Sequence, residues 1–188
     1  MEVKDKSMDQ KNNLLVWIDL EMTGLNYHHD TILEIASIIT DTNLNIIAHG
    51  PNLIIHQPDE ILQRMDPWCI ETHSKSGLLA KVQESFISLE EAEQQTLTFI
   101  QEHCVKNSAP LCGNTIWFDK LFLKKDMPDI VDYLHYRVVD VTAFKIMLSG
   151  WTGKKDVGFK KKNSHRALDD IEESIAELKF YREHYIKV

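Results

Sequence analysis

Cysteine and long apolar runs are both scarce in this chain of 188 residues, and each shortage excludes a class of protein. The three cysteines, Cys69, Cys104 and Cys112, lie at unrelated spacings that match no zinc-binding pattern. Residues 1–12 are charged and lack the apolar core of an export signal, so we expect a flexible extension and reduced thiols in a cytoplasmic protein. No apolar stretch approaches the roughly 20 residues that a membrane helix needs, so we expect no membrane span.

Basic side chains are also in deficit. Lysine and arginine number 21 against 29 aspartates and glutamates, which gives a net charge of −8. This balance excludes a protein that coats long nucleic acids by charge alone, and we expect no stable complex with them. It is compatible with a small anionic substrate at a local site. One dense basic stretch, residues 154–166, is typical of a solvated loop.

The composition is otherwise that of a soluble globular protein, with 43% apolar and 27% charged residues. Short connections link the first three predicted strands into an antiparallel meander, the third being broken at Gly50 and Pro51. Helices and strands then alternate, so we expect one α/β domain, residues 13–188, with a mixed sheet flanked by helices. The predicted strands cover residues 14–21, 31–40, 45–56, 109–112 and 136–140. The predicted helices begin near Asp66, Ser88, Asp119, Val141 and Ser164, and the one that begins at Val141 ends at Ser149.

Two carboxylates stand at the end of the first strand. Five apolar residues, 14–18, lead directly into Asp19, and Glu21 follows two residues later. Residues two apart in a strand point to the same side, so these carboxylates emerge together. Side by side they repel each other and are costly to desolvate, and a divalent cation would cancel that cost. The alternative is a strand that ends in solvent, where acids need no partner.

Further acids stand in apolar surroundings on two predicted helices. Asp119 lies among large apolar residues, although it is also compatible with the solvent side of an amphipathic helix. In the last helix, Asp169 shares a side with Glu173 and Glu177, which is the wetter side. Asp170 is the better candidate for a metal ligand because it belongs to an inward row of small or apolar residues: Ala167, Ser174, Leu178 and Tyr181.

These acids and His165, five residues before Asp170, form three motifs in order along the chain. They resemble the motifs of the DEDDh 3′–5′ exonucleases, whose fold is ribonuclease H-like. Within that superfamily the chain is similar to the oligoribonuclease family. The resemblance covers residues 13 to 188 and is carried further by four segments: 17–25, 111–114, 135–137 and 181–187.

The resemblance implies hydrolysis of short oligoribonucleotides, especially dinucleotides, from the 3′ end to 5′-mononucleotides, the final step of RNA degradation. Carboxylates would hold two divalent ions, Mg²⁺ or Mn²⁺. By resemblance, Asp19 bridges both ions, Glu21 and Asp170 complete one site, and Asp119 supports the other. His165 takes the proton from the attacking water, since imidazole titrates near neutral pH. The alternative for His165 is a capping or surface histidine.

The resemblance also implies a set of substrate contacts. Leu25 would wedge between two bases, and Trp68 and His73 would line the pocket of the 3′ nucleotide. Leu25 and Trp68 are equally compatible with core positions. Residues 117–121, around Asp119, are more apolar and less basic than is usual in the family. This departure calls into question the phosphate contacts near Asp119, but not its role as a ligand. The 5′ phosphate would be held by Thr115, Tyr136, Arg137 and Thr142, with Tyr136 supplied to the catalytic site by the second subunit of a homodimer.

Two other functions are compatible with these motifs. A 3′–5′ exonuclease of the same superfamily that acts on single-stranded DNA, such as a proofreading subunit, would use identical chemistry. The segment around Tyr136 and Arg137, and the small size of the chain, favour short RNA instead. A catalytically idle binding module with this fold would require the loss of at least one ligand, and none is missing from the sequence.

Overall fold

The computed structural model describes residues 13–160 and 165–186, so the predicted extension 1–12 lies outside it. Within these residues, five strands form one sheet in the order β3-β2-β1-β4-β5. The first three are antiparallel, β4 runs parallel to β1, and β5 runs parallel to β4. The predicted α/β fold with a mixed sheet is therefore confirmed. The strands are β1 (Leu14–Met22), β2 (Ile32–Asp41), β3 (Ile46–Ile54), β4 (Pro110–Gly113) and β5 (His135–Asp140).

Eight helices flank this sheet within the described residues, and two of their starts follow local sequence signals. Asp66 caps α2 by accepting hydrogen bonds from the backbone N–H groups of Trp68 and Cys69. Ser88 and Glu91 form a capping box at the start of α4. The helices are α1 (Asp59–Leu62), α2 (Pro67–Lys75), α3 (Leu78–Glu84), α4 (Leu89–His103), α5 (Trp117–Asp126), α6 (Pro128–Tyr133), α7 (Val141–Thr152) and α8 (Ala167–Tyr185).

The central strand β1 divides the core into two layers. Val16, Ile18 and Leu20 point into one apolar cluster, on the side of α4 and α5. Trp17 points into the other cluster, where α8 packs against the sheet. Trp17 is fully buried, and its Nε1–H donates to the Thr40 hydroxyl at 2.9 Å. Because neighbouring side chains alternate between faces, Asp19 and Glu21 lie on the face that α8 covers.

Three predicted boundaries are wrong. Strand β3 continues through Gly50 and Pro51, which lie opposite the single residue Ser37 in a bulge. A side chain at Gly50 would place its Cβ 2.2 Å from Ser37 Oγ, so glycine is required there. Helix α7 reaches Thr152 rather than residue 149. Helix α8 begins at Ala167 rather than near residue 164, which lies outside the described part of the chain.

The three cysteines lie inside the core. Cys69, Cys104 and Cys112 are each no more than 3% exposed and form no disulfide. Burial raises the pKa of the Cys69 thiol to about 12, and it also raises the pKa of Cys112. A buried thiol of this kind is not a nucleophile near neutral pH. Across the described residues, no helix is both long and apolar enough to cross a membrane.

Candidate active site

A cleft opens at the carboxyl end of β1, where the strand leaves the core. Asp19 and Glu21 are half-buried there, whereas Leu20 between them is 5% exposed. The cleft is built from three parts of the chain: the end of β1 with its following loop, the start of α5, and the first turn of α8. Its lining residues are Asp19, Leu20, Glu21, Met22, Leu25, Asn114, Thr115, Phe118, Asp119 and Asp170.

Three of the predicted residues come within metal-ligand reach of one another at this cleft. One ligand atom from each of Glu21, His165 and Asp170 lies within 4.8 Å of the other two. Asp119 enters from α5, and its Oδ1 accepts the backbone N–H of Leu20 at 3.2 Å. Carboxylate oxygens with an imidazole nitrogen are a donor set that accommodates divalent metal ions. The residues present therefore fit such an ion.

The crowding of carboxylates changes their acidity. Burial, together with the negative charges of Asp170, Glu34 and Asp119, raises the pKa of Glu21 to about 8. Burial likewise raises the pKa of Asp119 to about 7, although the N–H of Leu20 opposes this shift. Without a cation, this site therefore favours protonated acids. A divalent ion supplies the missing positive charge, and its binding displaces protons.

Helical periodicity distinguishes correctly between the two aspartates at the start of α8. Asp169 is exposed, whereas Asp170 is half-buried and lines the cleft. The same argument is wrong for Glu177, which it placed on the wetter side. Glu177 is 1% exposed, and its carboxylate accepts hydrogen bonds from the Tyr181 hydroxyl at 2.6 Å and from Asn114 Nδ2 at 3.1 Å. Hydrogen-bonded partners make a buried acid tolerable on an otherwise apolar face.

His165 stands just before α8 with an unusual backbone conformation. Its φ is 51°, in the left-handed region that non-glycine residues seldom adopt. Its ring meets the Trp68 ring edge-on, with the ring centroids 5.7 Å apart and the planes at 86°. Trp68 is 60% exposed and Leu25 is 73% exposed, so the core alternative is excluded for both. Leu25 lines the cleft, and Trp68 borders the ring of His165.

Sequence reasoning missed the ion pair that anchors the segment beside His165. Glu34 on β2 is completely buried, and Arg166 grips it with a two-pronged hydrogen bond. Arg166 Nε lies 3.0 Å from Oε2 of Glu34, and its Nη2 lies 2.8 Å from Oε1. The backbone N–H of Ala167 also donates to Glu34 at 3.4 Å. The available signal was a single acid within an otherwise apolar strand.

His73 lies behind Glu21, where only 2% of it is exposed. Its Nε2 is 2.9 Å from the backbone carbonyl of Met22, and its Nδ1 is 3.8 Å from Oε2 of Glu21. Burial lowers the pKa of His73, which favours the neutral ring, and a carbonyl can only accept, so Nε2 carries the proton. His73 thus supports the end of β1. Its predicted contact with the 3′ nucleotide stays a prediction.

Thr115 and Thr142 meet at the other border of the cleft. Thr115 has a φ of 53°, which is strained for a β-branched residue. Its backbone N–H donates to Oδ1 of Asp140 and to the Thr142 hydroxyl oxygen, both at 3.0 Å. The two hydroxyl oxygens lie 3.1 Å apart. Asp140, which also caps α7, therefore holds Thr115 in its strained conformation. Its role was not predicted from the sequence.

Tyr136 and Arg137 stand apart from the other predicted residues. Neither belongs to the cleft lining of its own chain as far as the described residues define it. Tyr136 is 72% exposed on the edge strand β5, and the Arg137 guanidinium lies over its ring at 5.2 Å. Lys120 Nζ donates to the backbone carbonyl of Tyr136 at 2.9 Å. The structure thus places Tyr136 on an outer surface.

Comparison with known proteins identifies the family of this chain. Residues 16–178 match the RNase_T family, described as exonucleases. The chain belongs to the RNase_T exonuclease family. Among curated relatives of this exonuclease, the oligoribonuclease of Haemophilus ducreyi is 52% identical over 94% of this chain and 97% of its own length. The oligoribonuclease of Francisella tularensis subsp. holarctica is 53% identical over 95% of this chain and 99% of its own.

Solved structures support the fold of this exonuclease. Exonuclease I of Methylocaldum szegediense matches 93% of the chain with a TM-score of 0.69 and 18% identity. Escherichia coli exonuclease I, in a zinc-bound complex with single-stranded DNA, matches 92% with a TM-score of 0.70 and 13% identity. This chain corresponds to 41% of each of those longer proteins. The ribonuclease H-like fold and the 3′–5′ exoribonuclease activity predicted from the sequence are confirmed at the level of the family.

Proposed function

We propose that this exonuclease hydrolyses short oligoribonucleotides, above all 5′-phosphorylated dinucleotides, to 5′-mononucleotides in the last step of RNA degradation. The observation that carries the proposal is the convergence of Glu21, His165 and Asp170 within 4.8 Å. Asp19 and Asp119 line the same cleft. A site with four acids and one histidine at a cleft matches the needs of phosphodiester hydrolysis.

Two divalent ions, Mg²⁺ or Mn²⁺, suit this donor set of hard oxygen ligands. Asp19 would bridge both ions, Glu21 and Asp170 would complete one site, and Asp119 would support the other. When bound, the ions offset the negative charge that develops on the phosphoryl group and on the oxygens beside it. The raised pKa values of Glu21 and Asp119 support this assignment, because among the described residues burial and neighbouring acids outweigh the positive charge of Arg166.

His165 is the general base in this proposal. It accepts the proton of the attacking water, which requires a neutral imidazole with a free nitrogen at the cleft. The Trp68 ring limits the movement of His165 from one side. Arg166, the residue after His165, is bound to Glu34. Both contacts lower the freedom of the imidazole before the reaction, as a positioned base requires.

Substrate bases find apolar surfaces on both sides of the acids. Leu25 is exposed where a side chain could separate two bases, and Trp68 offers an indole face near His165. Stacking on such surfaces is worth about 1–3 kcal/mol per base and does not depend on base identity. Thr115 and Thr142 would receive the 5′ phosphate at the other border of the cleft.

We further propose a cytoplasmic homodimer in which Tyr136 and Arg137 complete the partner's cleft. The support is a surface on α5, β5 and α7 that exposes many large apolar side chains, an arrangement typical of protein interfaces. Strand β5 is one of the two edge strands of the sheet among the described residues, and an edge strand favours pairing with another chain. The exposed side chains are Trp117, Tyr136, Val138, Phe144, Ile146, Met147 and Trp151.

A length series tests the proposed substrate. Initial rates in Mn²⁺ on labelled RNAs of roughly two to seven nucleotides, with and without a 5′ phosphate, give kcat/KM for each. We expect the highest value for the 5′-phosphorylated dinucleotide and lower values for longer RNAs and for DNA dinucleotides. We expect Arg137→Ala to lower that highest kcat/KM by about tenfold or more, because a charged hydrogen bond is lost. The control is Arg64→Ala, which changes another exposed arginine and should leave kcat/KM unaffected. A kcat/KM that rises with RNA length indicates an open channel and rejects the proposal.

A further inference from the structure

A chain of hydrogen bonds connects the two ends of the cleft, from an exposed contact at Thr115 to partly buried contacts at Ser174. The Thr142 hydroxyl donates to Oδ1 of Asn114 at 3.1 Å. Nδ2 of Asn114 donates to the Ser174 hydroxyl oxygen at 2.8 Å. The Ser174 hydroxyl in turn donates to the backbone carbonyl of Asp170 at 2.7 Å. Thr115 lies at the start of this chain and Asp170 at its end, and both line the cleft.

The hydrogen bonds of this chain all run in one direction from donor to acceptor. The Thr142 hydroxyl has one proton, which goes to Asn114, so the Thr115 hydroxyl must donate to Thr142 across their 3.1 Å contact. The amide of Asn114 is oriented by Glu177, a carboxylate that can only accept, at 3.1 Å from Nδ2. Every donor from Thr115 to Ser174 therefore points toward Asp170. An ionised phosphate oxygen only accepts, so a 5′ phosphate at Thr115 would draw the single hydroxyl proton of Thr115 away from Thr142, while the backbone N–H of Thr115 stays bonded to Thr142.

The hydrogen bonds from Thr142 to Asp170 are partly shielded from solvent. Ser174 is 2% exposed and Glu177 is 1% exposed, and Asn114 is half-buried between them. Hydrogen bonds in such an environment strengthen one another and hold a defined geometry. They fix the first turns of α8, which carry Asp170, relative to the loop that carries Thr115.

We propose that Asn114 and Ser174 are positioning residues that make the rate of hydrolysis depend on the 5′ phosphate. This inference rests on the proposed function, because it requires that Thr115 and Thr142 receive that phosphate. The network sets the distance between the phosphate contact and the carboxylate of Asp170. A dinucleotide held at its 5′ phosphate thus presents its internal phosphodiester to the acids. In a dinucleotide without the 5′ phosphate, the position of that phosphodiester is less well defined.

The test is Ser174→Ala, which interrupts the chain and leaves every residue at the cleft unchanged. We measure kcat and KM on dinucleotides with and without a 5′ phosphate. In the variant, we expect the ratio of the two kcat values to fall about three- to tenfold, the worth of one hydrogen bond, with KM for the phosphorylated substrate unchanged. Ser174→Thr keeps the hydroxyl and restores the ratio. The control is Tyr181→Phe, which removes a hydrogen bond of the same buried network but outside the chain, and keeps the ratio.

Two failures are distinguishable. If the wild-type enzyme does not discriminate between the two dinucleotides in kcat or KM, the proposed 5′-phosphate site is wrong, and the inference falls with it. If the wild-type enzyme discriminates but Ser174→Ala has the same kcat ratio, the proposed function stands and the coupling is rejected. Equal changes in Ser174→Ala and Tyr181→Phe also reject the coupling, because they indicate a general loosening of α8. Melting temperatures of all variants verify that each is folded during the assay.

Discussion

At the scale of single residues, the pair Asp169 and Asp170 offers a matched comparison. The two acids are neighbours on one helix, but only Asp170 faces the cleft. We predict that Asp170→Asn lowers kcat on a dinucleotide by roughly two powers of ten or more, because a proposed ligand loses its charge. Asp169→Asn, which removes the same charge from an exposed position, lowers it less than about threefold. A larger loss in Asp169→Asn contradicts the proposed assignment of the metal ligand.

A second prediction at this scale concerns the stability of the metal-free protein. The pKa of Glu21 is raised to about 8 in the fold, so the folded protein holds this proton more tightly than the unfolded chain does. The free energy of unfolding in EDTA therefore falls as the pH rises from about 4.5 to about 8, and Asp119 adds to the same trend. Glu21→Gln removes one part of this fall and stabilises the metal-free protein at about pH 8 by about 1–3 kcal/mol.

Urea unfolding at about pH 5 and about pH 8 measures this effect, with Asp169→Asn as the control at an exposed acid. Addition of Mg²⁺ should stabilise the wild-type protein more at the higher pH, because the ion competes with protons for the same carboxylates. Glu21→Gln should lose most of that gain. An equal stability of wild type and Glu21→Gln at both pH values rejects the electrostatic account of the cleft.

At the scale of secondary-structure elements, the contact between Glu34 on β2 and Arg166, just before α8, joins the helix to the sheet. We predict that Arg166→Met destabilises the protein by about 3–5 kcal/mol, because it leaves the fully buried Glu34 carboxylate without a partner. The double variant Glu34→Gln with Arg166→Met removes the buried charge and recovers much of this loss in urea unfolding.

The same double variant separates stability from positioning. We expect its kcat to stay about tenfold or more below that of the wild type, because His165 beside Arg166 is no longer held to the sheet. If the double variant recovers both stability and kcat, the ion pair has a purely structural role and the predicted effect on positioning is wrong.

Several elements were predictable because their signals are local. The helix starts at Asp66 and Ser88 depend on side chains that bond to backbone groups within three residues. The end of α7 was not predictable from the sequence, because it depends on Gly153 adopting a φ of 68°. The continuity of β3 through Gly50 and Pro51 depends on a bulge opposite Ser37 and on the packing of Phe99, which no local pattern reports.

At the scale of the whole molecule, the proposed homodimer predicts that no single chain is active. Trp151→Glu places a charge in the exposed apolar surface of α7 and should give an inactive monomer, detected by light scattering with a parallel assay. The control is Phe86→Glu, which changes an even more exposed aromatic residue in the loop between α3 and α4. It should stay dimeric and active. An active Trp151→Glu monomer contradicts the shared site.

Mixing two inactive variants tests the same point directly. Tyr136→Ala lacks the residue given to the partner, and His165→Ala lacks the base of its own cleft. In a mixed dimer, one cleft combines an intact His165 with an intact Tyr136 from the other chain, so mixing should restore activity. Mixtures that stay as inactive as the separate variants reject the exchange of Tyr136 between subunits.

The sequence by itself determined the features that repeat along one element. The buried run of β1, the joint orientation of Asp19 and Glu21 and the inward face of Asp170 all follow from the alternation of strands and the turn of a helix. The order of the acidic motifs also indicated the exonuclease family without any structure. Such patterns report whether a side chain faces solvent or core. They do not report which distant side chain it meets.

Only the tertiary structure decided those partners. Glu34 meets Arg166, and Glu177 meets Asn114, across more than 60 residues of sequence in each case. Both acids are buried because a specific donor, brought in by the packing of α8 on the sheet, replaces the water that they lose. Tyr136 is exposed because β5 ends the sheet, which is a property of strand order. Strand order and packing are long-range outcomes of folding, and no single segment of the chain contains them.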